Sequence, residues 1–201
     1  MQTINPYILN DLVKQIEPYV VTDTFVIDEW LSHTGIHESP NNIVSDGNPP
    51  QTMHLGDRWK VGYDETRYFE ADVIVPDYLA GKKVYLSIDF GGEALVRING
   101  KIVGAVSSRE NSGWVHRTEI LFKDKFKGGE KLSIQVEGAV DCASFCNRAI
   151  AGEKQLEYTL KKAELVAVNE KAESYWYDIS TAHEVYECCE DEYIKSRLYI
   201  A

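Results

Sequence analysis

Residues 67–106 read RYFEADVIVPDYLAGKKVYLSIDFGGEALVRINGKIVGAV, and their period decides the fold. From Tyr68 to Val75, Phe69, Ala71, Val73 and Val75 fall on one side and Glu70 and Asp72 on the other. Such alternation marks a half-buried strand, because successive side chains of a strand leave opposite faces. Pro76 stops it, since proline donates nothing to a ladder. The pattern repeats in VYLSIDF, with Val84, Leu86, Ile88 and Phe90 against Tyr85, Ser87 and Asp89, until Gly91-Gly92 interrupts it. Asn99-Gly100 then separates ALVRI from KIVGAV. A type I′ hairpin turn needs φ > 0 at both central residues, and this dipeptide is its strongest short signal.

Outward from this stretch, further strands are expected at 115–122 and 131–137, separated by Lys127-Gly128-Gly129-Glu130, and another at 156–168. Short strands with a turn signal between them make an antiparallel sandwich or barrel. Upstream, residues 33–57 are rich in turn formers, among them Pro40, Asp46, Gly47, Pro49 and Pro50, and read as a long connection. Residues 1–32 read as partly helical, with Ile8, Leu12, Ile16 and Tyr19 at helical spacing and Pro18 ending the helix. Downstream, Tyr175, Ile179, Ala182, Tyr186, Cys189 and Tyr193 step by four and three residues along a helix. Asn169 is its expected N-cap, with Glu170 and Glu173 in the first turn, where the helix dipole favours anions. The last residues, IKSRLYIA, keep the helical pattern with no stop signal, so more chain is expected to follow. The organisation expected is a helical extension and the start of a connection at 1–40, a sandwich at 41–168, and a helix at 169–201 leading to a further domain.

With 32 acidic and 21 basic residues the net charge is −11. That charge opposes binding to nucleic acid, which takes a basic footprint, and docking on anionic membranes. Apolar residues make up 44 %, enough for a packed core. The N-terminus lacks the apolar run of a secretory signal, and no window approaches a span of ~20 apolar residues. Cys142, Cys146, Cys188 and Cys189 lack the spacing of a disulfide framework or of paired zinc knuckles. Reduced thiols, a cytoplasmic location and no bound metal are the expectations.

Two segments carry a family resemblance: residues 67–106, quoted above, and LKKAELVAVNEKAESYWYDISTAHEVYE at 160–187, with GDRWKVG at 56–62 supporting both. In order and spacing, residues 50–201 resemble the region preceding the catalytic domain in glycoside hydrolase family 38 α-mannosidases. The resemblance implies a mainly β, jelly-roll-like (galactose-binding-like) sandwich with helical N- and C-terminal extensions. It implies a zinc-dependent retaining mannosidase whose following domain supplies a His-x-His-x-Asp-type metal motif and an aspartate nucleophile. Retaining hydrolysis takes two carboxyl groups about 5 Å apart. No such pair is identifiable here, so no catalytic residue is assigned and zinc belongs to that following domain.

Three roles remain open for the chain. As a docking domain it would meet the catalytic domain of its own polypeptide through Tyr175, Trp176 and Ile179, a stripe that equally suits packing on the sandwich. As a carbohydrate-binding module it would hold a mannose-containing oligosaccharide at loops, with Trp59 and Trp114 as stacking platforms and Asp57 and Arg58 bonding hydroxyls. The plainer reading of both indoles is that they close the end of the core. As an oligomerisation element it would pair helices or sheet edges between copies of itself. Glu184, Glu187, Glu190, Asp191 and Glu192 read as a solvated helix face, partly offset by Lys195 and Arg197.

Overall fold

The alternation at 68–75 becomes a core strand in the computed structural model, which describes residues 7–39, 42–62, 65–108, 118–122, 125–139 and 155–198. Phe69, Ala71, Val73 and Val75 are buried, and Asp72 and Ile74 are exposed. This strand, β6 (Thr66–Ile74), pairs antiparallel with β11 (Lys131–Ala139), and β11 pairs with β8 (Glu93–Ile98). Register sets Phe69, Val136 and Val96 side by side on the inner face. Burying a side chain of this size contributes about 1.5–3 kcal/mol each.

The strand order is β3-β2-β6-β11-β8-β9 in the larger sheet, where β2 is Trp30–Ser39, β3 Asn42–Ser45 and β9 Lys101–Ser107, and β4 (Gln51–Met53) also pairs with β2. The smaller sheet runs β1-β13-β7-β10, from Val21–Val26, Lys162–Val168, Lys83–Asp89 and Glu119–Leu121. A third, two-stranded piece joins β5 (Arg58–Gly62) to β12 (Gln155–Thr159). Sequence neighbours are seldom sheet neighbours, the crossed connectivity of a jelly roll. The fold is mainly antiparallel β with helices near both ends.

Asn99 (φ 49) and Gly100 (φ 76) form the two-residue turn between β8 and β9, both left-handed as the hairpin requires. Aromatic rings fill the core. Trp59 packs edge-on against Phe69 with centroids 5.2 Å apart, and Phe69 lies 4.6 Å from Phe90. The buried indoles are satisfied: Trp59 Nε1 donates to the Phe90 carbonyl at 2.8 Å and Trp30 Nε1 to the Ile27 carbonyl at 2.8 Å.

Several expectations shift. Residues 21–39 are strands β1 and β2 rather than helix and loop, and 42–45 and 51–53 are strands as well. β2 takes its ladder from β6, a partner remote in sequence, and such pairing overrides local turn propensity. The strand expected at 156–168 breaks at Leu160-Lys161 into β12 and β13. Ser87 and Asp89, on the polar side of β7, are buried. Asp89 Oδ1 accepts the Gly91 N–H at 2.9 Å, and Lys161 Nζ lies 3.7 Å from its other oxygen.

The chain divides into two compact units, Thr24–Val166 and Met1–Asp23 with Ala167–Ala201. In the second, helix α1 (Tyr7–Ile16) packs on helix α2 (Glu170–Cys188). Half-buried Leu9, Leu12, Val13 and Ile16 give α1 its apolar face, and Pro18 ends it in a 3₁₀ turn. Asn169 caps α2 as expected, its Oδ1 accepting from Lys171 N at 3.1 Å and Ala172 N at 3.3 Å. Helix α2 stops at Cys188, and a separate helix α3 (Glu192–Leu198) begins after Asp191, whose Oδ1 accepts from Tyr193 N at 2.8 Å.

Candidate functional site

Side chains leaving the larger sheet away from the Phe69 core would be solvated on a plain sandwich. Here many are withdrawn from water. One row sets His33, Tyr68, Glu137, Leu95 and Ala105 side by side across five strands, and the next sets Leu31, Glu70, Gln135, Arg97 and Ile102. Tyr68 is only 7 % exposed, and its ring stacks on His33 with centroids 5.2 Å apart. Arg97 Nη1 donates to Glu137 Oε2 at 2.6 Å, and both side chains are mostly covered. A charge-assisted bond of this length is among the stronger kinds. Burial pushes the Tyr68 phenol up to about 12, and the Glu137 carboxylate adds to this because a phenolate would meet a like charge.

At the end of β6, Arg67 is clasped by neutral oxygens: Nε donates to Ser32 Oγ at 2.7 Å, Nη1 to Thr34 Oγ1 at 3.0 Å and Nη2 to Gln51 Oε1 at 3.1 Å. Loss of hydration lowers the pKa of this guanidinium, while the Asp46 and Glu65 carboxylates oppose the shift.

Over β8, β9 and β11 the face opens into a cleft of about 570 Å³, lined by Glu93, Leu95, Ala105, Ser107, Glu137 and Ala139. Two features make the room. Ala105 and Ala139 project a single carbon each. Strand β9 also carries an extra residue: Val96 pairs with Gly104 but Arg97 with Ile102, leaving Val103 in a bulge that bends the edge strand. Gly91-Gly92 sits beside the cleft for backbone reasons. Gly91 has φ 91, and a Cβ on Gly92 would come within 2.6 Å of the Ala139 carbonyl oxygen.

The residues singled out from the sequence do not converge there. Asp57 closes a local turn, its Oδ2 accepting the His54 N–H at 2.8 Å. Arg58 pairs with Glu157 on β12 at 2.9 Å. Trp59 is 2 % exposed within the core, which leaves no indole face open to a sugar ring. Trp114, Cys142 and Cys146 lie outside the described residues. Among the described residues no group of three or more His, Cys, Asp or Glu side chains converges. The described side chains therefore offer zinc no ligand set, and no step is derived through it. No described helix is long and apolar enough to cross a membrane.

The comparison with protein families decides the affiliation. Residues 28–166 match the Ams1-like family described as "Alpha-mannosidase, jelly roll domain". The chain belongs to that family. Its jelly-roll domain spans the strands from β2 to β12 and most of β13. No curated protein matches the chain. Among solved structures, β-glucuronidase from Ruminococcus gnavus is similar at a TM-score of 0.49 and 12 % identity, over 75 % of this chain and 30 % of that one. β-Glucuronidase from Faecalibacterium prausnitzii follows at 0.48 and 13 %, over 74 % and 32 %. That from Bacteroides uniformis gives 0.48 and 19 %, over 73 % and 18 %. The chain thus spans about a third or less of each of these proteins.

Beyond the jelly-roll domain, α2 presents the three expected docking residues unequally. Ile179 is 8 % exposed and Trp176 is half-buried, whereas Tyr175 is 54 % exposed. The covered side of α2 includes Ala172, Trp176, Ile179, His183 and Tyr186, and Ala182 and Cys189 of the expected stripe are partly covered too. The Trp176 indole N–H is buried with no hydrogen-bond partner among the described residues. Sequence reasoning missed the polar rows of the sheet face. Each of their residues is an ordinary polar position of an alternating strand. Only the register brings Glu137 beside Tyr68 and Leu95, and sets Arg97 one row away.

Proposed function

We propose that this chain is the non-catalytic N-terminal jelly-roll domain of a zinc-dependent, retaining α-mannosidase of the cytoplasm, and that it serves to dock the catalytic domain of its own polypeptide. The family match over residues 28–166 carries this reading. The side chains support the non-catalytic part, since of the two carboxylates lining the cleft, Glu93 and Glu137, the second is committed to Arg97 at 2.6 Å rather than free to act as acid or nucleophile. Half-exposed Tyr175 and Tyr177 on α2 support docking, because tyrosine offers a large contact area at low entropic cost. Exposed Cys188 forms no disulfide among the described residues, which suits a reducing compartment. The test is calorimetric titration of this chain with the catalytic domain of the same polypeptide. Saturable binding weakened about tenfold or more by Tyr175→Asp supports the reading. Absence of binding at hundred-micromolar concentrations, with both partners folded by circular dichroism, overturns the docking role.

A further inference from the structure

The cleft on the outer face of the larger sheet has features that neither the fold nor the docking role requires. A sheet face that merely meets water is mostly lined by polar side chains. This one is floored by short apolar groups, Leu95, Ala105 and Ala139, and edged by Glu93, Glu137 and Ser107. The volume of about 570 Å³ lies in the range of small-molecule sites and accommodates a ligand of disaccharide size.

One of the two carboxylates is fixed before any ligand arrives. Glu137 is anchored by Arg97 at 2.6 Å, and Arg97 projects from β8 two residues beyond Leu95. The Glu93 side chain, at the other end of the same edge, makes no hydrogen bond or ion pair among the described residues. A partly covered carboxylate without a partner is costly to keep, and hydroxyl donors relieve that cost. The bulge at Val103 holds the edge strand bent away from the sheet, a device often found beside binding sites.

We infer that this cleft is a binding site for a neutral sugar, with Glu93 and Glu137 accepting hydrogen bonds from ring hydroxyls and the Leu95–Ala105–Ala139 floor meeting the C–H face of the ring. A sugar ring suits the lining because it presents hydroxyl donors around its rim and an apolar face between them. Anionic ligands are disfavoured by the two carboxylates. The site lies on the sheet face, on strands β8, β9 and β11, and involves neither Trp59 nor the α2 surface. The choice of mannosides as the first probe rests on the α-mannosidase reading; the site itself does not.

The test is a titration of the isotopically labelled 201-residue chain with methyl α-mannoside and α-1,2-mannobiose, followed by amide NMR shifts. Saturable shifts confined to residues 93–95, 105–107 and 137–139 are expected. Glu93→Gln should weaken binding about tenfold, the loss of one charge-assisted bond. Ala105→Phe, at an exposed position that tolerates bulk, should abolish it by filling the floor. No saturable shift up to tens of millimolar overturns the site, as do shifts elsewhere on the domain, or shifts at the cleft given only by a polyamine such as spermidine. Retained mannoside affinity in both variants overturns it too. None of these outcomes bears on the docking test, so the two proposals fail separately.

Discussion

Tyr68 shows how a single position reports on the sheet face around it. Its ring is enclosed against His33 and its phenol is pushed up to about 12, first by burial and then by Glu137. An acid whose folded pKa is raised contributes stability that is fully present below the unfolded value near 10 and lost as pH rises through about 12. NMR titration of ring resonances should therefore find Tyr68 among the last tyrosines to ionise, and Glu137→Gln should bring it part of the way back. Ionisation near 10 would show that the ring is solvated. Trp59 makes the same point for the core. Truncation to alanine should cost about 3–5 kcal/mol in urea unfolding, the range for a fully buried large aromatic. A variant of unchanged stability would mean that the indole is available for stacking after all. The sequence could not separate these outcomes, because GDRW follows turn formers whether its tryptophan points in or out. Burial depends on the Phe69 ring from β6 and on the Phe90 carbonyl just past the end of β7.

Elements were legible where their signals are local. The Asn99-Gly100 turn needs only two residues with positive φ, and the α2 N-cap needs only Asn169 beside the first turn. Asn169→Ala should cost about 1 kcal/mol, read as a lowered thermal midpoint of the helical circular-dichroism signal. An unchanged midpoint would mean that other contacts hold the helix start. Strands β2, β3 and β4 were not legible, because their segment is full of prolines, asparagines and glycines and its ladder is supplied from β6. Helix α2 was legible in existence and in most of its covered face, since Ile179, Ala182, Tyr186 and Cys189 are all at least partly covered. The difference lies at its start, where Tyr175 is exposed and Trp176, about 100° around the helix, is partly covered. The cleft was invisible for a related reason. Glu93, Ala105 and Glu137 meet only through the pairing of β8 with β9 and β11, and none carries a motif by itself.

Over the whole molecule, the mainly β fold and the family follow from order and spacing that survive in the sequence, and the match over residues 28–166 bears both out. Chemistry at this scale is a question of which polar groups remain uncommitted. Asp57 closes a turn, Arg58 and Lys60 share Glu157, and Glu137 is held by Arg97, whereas the Glu93 side chain at the cleft stays uncommitted among the described residues. A net charge of −11 adds solubility but no reaction. The central proposal is that this jelly-roll domain serves an α-mannosidase without performing its chemistry. The most direct measurement is release of 4-nitrophenol from 4-nitrophenyl α-mannoside by the purified 201-residue chain, with added zinc and after chelation. The account predicts turnover indistinguishable from buffer under both conditions. Hydrolysis that saturates with substrate, rises with zinc and disappears on chelation would contradict it.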